Sequence, residues 1–144
     1  MSQPLFSTYQ PDKVSFVFGS LIITGFAQDS MITVARKTPI WTSTAGSQGY
    51  VTRTKNMDKR GDVTIVLDQS SPDNDALSAL CVADELTGQG AQPFMMRDAS
   101  GTSVASAASM WIVQPATMEF GAGVLGRTWT FEAAVLIMTP GGNS

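Results

Sequence analysis

The run RTWTFEAAVLIM, residues 127–138, alternates in a way only one backbone tolerates. Trp129, Phe131, Ala133, Val135 and Ile137 fall on one face, and Thr128, Thr130, Glu132 and Ala134 on the other. A period of two with β-branched and aromatic types predicts a strand with one buried face. Working outward, the same pattern predicts strands over 13–26, 31–37, 50–54, 62–68, 93–98, 104–113 and 116–120. In the first of these, Gly19 and Gly25 suit a bulge or bend.

One stretch breaks the pattern. SPDNDALSALCVADELTGQG, residues 71–90, opens with Ser71 as a cap and Pro72 at the first helical position. Asp73 and Asp75 suit the positive end of the helix dipole. Ala76, Leu77, Leu80, Cys81, Ala83 and Leu86 follow helical spacing, and Gly88 supplies the stop. The spacing predicts an amphipathic helix over about 72–87. The fold class is therefore mainly β: a barrel or sandwich of about eight short strands with one flanking helix, which covers an otherwise open sheet edge. The 144 residues are read as a single domain, 1–144.

Residues 38–61, TPIWTSTAGSQGYVTRTKNMDKRG, fit this pattern least. They carry Trp41 and Tyr50 with little apolar periodicity and are expected to form an extended loop or hairpin arm. Exposed aromatics in such a segment favour an interface. The arm is also basic. Between 36 and 60, Arg36, Lys37, Arg53, Lys55, Lys59 and Arg60 face a single acid, Asp58, for a net charge of +5. Residues 61–90 hold Asp62, Asp68, Asp73, Asp75, Asp84 and Glu85 and no base, for −6. Charged residues make up only 15% of the chain, against about 25% in a typical soluble domain. Interface cores are depleted of charge in the same way, so the composition points to an oligomer.

The residues argue against catalysis. There is no histidine, hence no Ser-His-Asp or Cys-His arrangement and no imidazole metal site. Cys81 sits among apolar helix positions and reads as a structural thiol; a lone cysteine suits a reducing compartment. GAGVLG, residues 121–126, matches G-x-G-x-x-G but is followed by a strand pattern, so it reads as a turn. DNDA lacks the spacing of a calcium loop. Glu119 and Glu132 could pair across adjacent strands, but nothing else resembles a sugar site. No cofactor or metal is expected. The start, MSQPLFSTYQ, has neither the basic nor the apolar region of a signal peptide, and the longest apolar run, 133–138, is far short of a membrane span.

Three stretches in order carry a resemblance: GSQGYVTRTKNMDKRGDVTIVLDQSSPDNDALSAL, then PFMMRDASGTSVASAASMWIVQPATMEFG, then RTWTFEAA. Together they resemble the tail tube proteins of contractile-tailed bacteriophages, over roughly residues 14–138. The resemblance implies hexameric rings that stack head to tail into a hollow tube. It implies that genome DNA passes through the lumen without specific binding, with sheath, baseplate and tail terminator proteins as partners. It also implies a place in the virion tail after synthesis in the host bacterial cytoplasm. In this family an extended element crosses the contact between rings, and about 38–61 match it. Two other readings stay compatible with the residues: a β-sandwich module binding carbohydrate or nucleic acid, and a tube subunit of a related secretion or bacteriocin machine.

The expected surfaces follow from the charges. Trp41, Tyr50, Arg53, Lys55, Lys59 and Arg60 form the inter-ring arm. Asp73, Asp75, Asp84 and Glu85 are the acidic surface that receives it on another subunit. Glu119 and Glu132, with Thr117, Thr128 and Thr130, are the candidates for the lumen wall, because a neutral or acidic wall lets DNA slide.

Overall fold

The computed structural model describes residues 14–23, 32–99, 101–123 and 125–142. The bend expected at Gly25 lies outside them. Among the described residues ten strands and one helix follow in chain order: β1 (Val14–Phe18), β2 (Leu21–Ile23), β3 (Ile32–Arg36), β4 (Trp41–Ala45), β5 (Val51–Lys55), β6 (Gly61–Asp68), α1 (Asp73–Thr87), β7 (Gln92–Asp98), β8 (Val104–Gln114), β9 (Gly126–Ala133) and β10 (Ile137–Thr139). One antiparallel sheet runs β2-β1-β7-β8-β9-β6-β3, with β10 also on β8; β4 and β5 form a separate pair.

The sheet curls on itself. β1 and β9 are three strand spacings apart, about 14 Å if the sheet were flat. Yet the rings of Phe18 and Phe131 lie 5.1 Å apart at their centroids, and those of Phe16 and Phe131 5.9 Å apart. The two halves of the sheet therefore face each other as in a sandwich. Between them sit Phe16, Phe18, Ile23, Val63, Ile65, Leu67, Met110, Trp129 and Phe131. β6 shows the expected alternation without a fault: Val63, Ile65 and Leu67 are fully buried.

Three elements differ from the sequence reading. Within the run 13–26 the described residues, 14–23, form a hairpin rather than one strand, because Gly19 at φ 62° turns the chain so that Phe18 pairs with Leu21. Residues 116–120 form no strand. The run 127–138 is broken: Ala133 and Leu136 are buried, whereas Val135 and Ile137 are exposed. β9 and β10 lie along β8 in one continuous register, Ala133 opposite Met110 and Ile137 opposite Ser106. The burial of β8 changes parity at the matching place, from Ala107 to Met110, where its register with β7 also shifts. A one-residue slip exchanges the two faces of a strand, so both strands change faces together at this corner.

The helix stops at Gly88 as expected but starts one residue late, with Pro72 in the cap position and Ser71 just before it. The Asp73 N–H donates to Ser71 Oγ (3.2 Å), and Gly88, at φ 70°, donates to the Asp84 carbonyl (2.6 Å). It sits where β6 leaves the sheet and β9 begins, not along an outer strand. The indole N–H of Trp129 donates to Asn74 Oδ1 (2.9 Å), while the Asn74 amide donates to the carbonyls of Asp68 and Ser71. Its apolar face is narrower than the spacing predicted. Leu77 is fully buried and Leu80 and Cys81 partly, but Ala83 and Leu86 face solvent. Burial pushes the Cys81 thiol up, and Glu85 and Asp84 push it further, which keeps it protonated. Among the described residues no helix is long and apolar enough to cross a membrane.

Candidate functional site

Residues 38–61 form the hairpin β4–β5 and its two legs. The turn closes through the Gly46 N–H on the Tyr50 carbonyl (2.8 Å) and the Gly49 N–H on the Gly46 carbonyl (2.9 Å), with Gly49 at φ 80°. Register pairs Trp41 with Lys55 and Ala45 with Val51. One face is all threonine: Thr42, Thr44, Thr52 and Thr54. The other presents Trp41, Ser43, Ala45, Val51, Arg53 and Lys55. The Arg53 guanidinium stacks on Trp41 at 3.9 Å. Every residue of both strands is exposed, and Tyr50 at the turn is 79% exposed. A lone two-stranded hairpin is marginal in water. This one hides no side chain of its own, so its shape suits docking against something else.

The root of the arm is held firmly. The Asn56 N–H donates to the Ile40 carbonyl (2.7 Å) and the Lys37 N–H to the Arg60 carbonyl (3.1 Å). The Arg36 guanidinium donates twice to the Leu136 carbonyl (2.8 and 3.1 Å), and the Leu136 N–H to the Lys59 carbonyl (2.9 Å). Leu136 in turn fills the space beside Gly61, where any Cβ would collide with it. The corner that flips the faces of β9 and β10 is thus also the anchor of the arm.

Charges gather at this root. Lys37 Nζ lies 2.7 Å from Asp62 and 3.7 Å from Glu132; Arg60 lies 2.9 Å from Asp58 and 3.6 Å from Glu132. The hydrogen bond from Lys37 to Asp62 holds its ammonium above the ordinary value. The Arg60 hydrogen bonds hold the Asp58 carboxyl below the ordinary carboxylate range, and Asp58 raises Arg60 in return.

These contacts redistribute the expected surfaces. Trp41, Tyr50, Arg53 and Lys55 lie on the projecting hairpin, and Lys59 and Arg60 on its returning leg. Among the described residues Arg53, Lys55 and Lys59 make no ion pair, whereas Arg60 is already committed to Asp58 and Glu132. The four helix acids do not form one surface. Asp84 turns inward, its carboxylate accepting from the Gly90 N–H (2.8 Å), while Asp75 and Glu85 face solvent. Glu119 and Glu132 are not a pair. Glu132 sits at the arm root, whereas Glu119 lies in the loop before β9, its carbonyl accepting from Arg127 (3.2 Å). Arg127 and Glu132 are five positions apart on β9, about 16 Å of strand. The sequence reading missed the Lys37 and Arg36 anchors. Their signal was faint: two bases that directly precede the arm, Lys37 facing acids that only β6 and β9 bring near and Arg36 facing the Leu136 carbonyl.

No family model matches the chain. It is 28% identical over 145 residues to Structural protein ORF10 of Pseudomonas phage KPP10, covering 95% of this chain and 84% of that protein. Among solved structures it is similar to the anti-feeding prophage tube-terminating cap, with TM-score 0.67, 9% identity and 96% and 95% of the two chains covered. It is also similar to a chain of the PVC sheath/tube terminator of an extracellular contractile injection system, with TM-score 0.65, 10% identity and 95% and 100% covered. A third likeness is to a chain of the extended PVC sheath-tube complex, with TM-score 0.63, 6% identity and 92% and 91% covered. At such identities the likeness is one of fold. The proteins it resembles are structural parts of a phage and of contractile injection systems, not enzymes.

Proposed function

We propose that this chain is a structural subunit of a contractile tail or tail-like injection machine, and that its copies join head to tail through the β4–β5 arm. The observation that carries the reading is the arm itself: a rigidly rooted hairpin, exposed at every position, in a chain similar along 95% of its length to a phage structural protein. Arm and receiving surface differ, and unlike patches make rings or open filaments rather than closed dimers. Hexameric rings stacked into a tube inside a sheath are the assembly we infer, in a virion tail, with genome DNA moving through the lumen.

The polar half of the sheet suits such a lumen. Thr33, Thr64 and Thr130 stand directly opposite one another across β3, β6 and β9, followed by Asp62 beside Glu132. Hydroxyls offer phosphate little to hold, and the bases nearby, Lys37 and Arg60, are already paired with Asp62 and Glu132. A second reading is a tube-terminating cap, favoured by the cap and terminator folds among the likenesses.

Negative-stain microscopy of the purified protein tests both. Long hollow rods support the tube subunit, and single rings that never elongate support the cap. Replacing 41–55 with a short Gly/Ser linker should leave the melting curve in place and abolish stacking. Long rods from the linker variant would overturn the role of the arm.

A further inference from the structure

Among the described residues, two exposed apolar surfaces are left without a partner, and their chemistry matches. The first crosses the sheet. Ile22, Val17, Met95, Ser106 and Ile137 are directly opposed residues on β2, β1, β7, β8 and β10. Directly opposed residues point to one face, so they form a single row about 19 Å long on the outside of the sandwich. Ile22 is 63%, Met95 55% and Ile137 60% exposed. The next row holds Ser15, Arg97, Val104 and Thr139. Arg97 is the one charge in these two rows, and it makes no ion pair among the described residues. The other half of the same sheet carries Thr33, Thr64, Thr130, Asp62 and Glu132 on its outer face, so this face is not simply what the fold leaves outside.

The second surface is on α1. Ala79, Val82, Ala83 and Leu86 follow i, i+3, i+4, i+7 spacing, which makes a stripe about 10 Å long. All four are exposed, on the side of the helix opposite Leu77 and Leu80. A surface helix normally carries one apolar stripe, and a helix apolar on two sides is one that is covered on two sides. The charges beside this outward stripe are Asp75 and Glu85, and the helix contains no base.

We propose that the outward stripe of α1 packs against the Ile22–Ile137 row of a second copy of this chain, with Arg97 meeting Glu85 or Asp75. The occupant is another copy because both halves of the contact are on this chain: two apolar strips, one bordered only by positive charge and the other only by negative. They are different surfaces, so each protomer gives its helix to one neighbour and its sheet to another. That is a heterologous contact, which closes into a ring when the rotation permits. It supplies a side-by-side contact distinct from the head-to-tail role of the arm. It rests on the self-assembly reading above.

The test uses two full-length variants, Leu86→Glu and Met95→Glu, each at an exposed position where melting should not change. Sedimentation and microscopy are compared with the unaltered chain. Each variant alone should lose closed rings. Mixed one to one, they should recover a side-by-side pair with one copy of each and still no closed ring, because only the intact helix of one and the intact sheet of the other can meet. Native mass spectrometry identifies that pair. Rings that persist in either variant, or a mixture that yields no mixed pair, overturn the contact while leaving self-assembly intact. An unaltered chain that stays monomeric overturns self-assembly itself, and this contact with it.

Discussion

The chain contains two hairpins of similar local geometry and opposite dependence on their surroundings. β1–β2 turns at Gly19, φ 62°, and buries Phe16, Phe18 and Ile23 to 1% exposure or less. β4–β5 turns around Gly49, φ 80°, and buries none of its strand residues. Backbone bonds alone leave a hairpin marginal. The first is ordered by the core it helps to build. The second is ordered by its root and, on the proposed reading, by the copy it docks against. One hairpin therefore belongs to folding and the other to assembly, and substitutions should separate the two.

The largest separation is expected from aromatic truncation. Phe131→Ala removes the ring that Phe16 and Phe18 pack on. It should cost about 3–5 kcal/mol in urea unfolding. Trp41→Ala should stay within about 0.5 kcal/mol, as exposed substitutions do. A comparable loss from Trp41→Ala would mean that the arm is part of the folding unit.

The helix seat should come next. Asn74→Ala leaves the Trp129 indole N–H, now bonded at 2.9 Å, without its acceptor. A buried donor left unpaired costs about 1–3 kcal/mol. Thr44→Ala on the threonine face of the arm should leave stability unmoved. If Asn74→Ala were also neutral, apolar packing of Leu77 would be holding the helix by itself.

The arm root should respond to acid while the core does not. Asp58 is lowered from its ordinary value of 3.8 by its bonds to Arg60. A lowered carboxyl contributes fully above its unfolded value, and the contribution is lost as pH falls through the lower folded one. Amide protection at Asn56 and Arg60, taken relative to the intrinsic exchange rate at each pH, should therefore fall on acidification below about pH 4, and Asp58→Asn should remove that dependence. Identical pH profiles for the two proteins would exclude Asp58 as the clasp.

The smallest effect is expected from Arg53→Ala. An exposed cation–π contact such as the one over Trp41 contributes about 0.5–1 kcal/mol. It acts only within the hairpin. Exchange at Gly46 should quicken slightly and the melting temperature should hold. A shifted melting temperature would tie Arg53 to the body of the protein.

Local chemistry by itself determined much of this molecule. β6 could be read because Val63, Ile65 and Leu67 are buried at each second residue, and the helix ends because Ser71 and Gly88 act within a few residues of themselves. The arm was legible as a segment unable to build a core, but β4 was not legible as a strand, because no position in WTSTA is buried and burial is what imprints alternation. Tertiary structure alone decided the rest. The corner at 134–136 exposes Val135 and Ile137 and buries Leu136, since parity there depends on β8 changing faces in the same place. α1 turns Leu77 inward and Leu86 outward because the curled sheet offers the helix only one end to cover. Glu132 and Arg60 found partners inside the protomer because β9, β6 and the arm root converge, a proximity between residues far apart in sequence that no local pattern encodes.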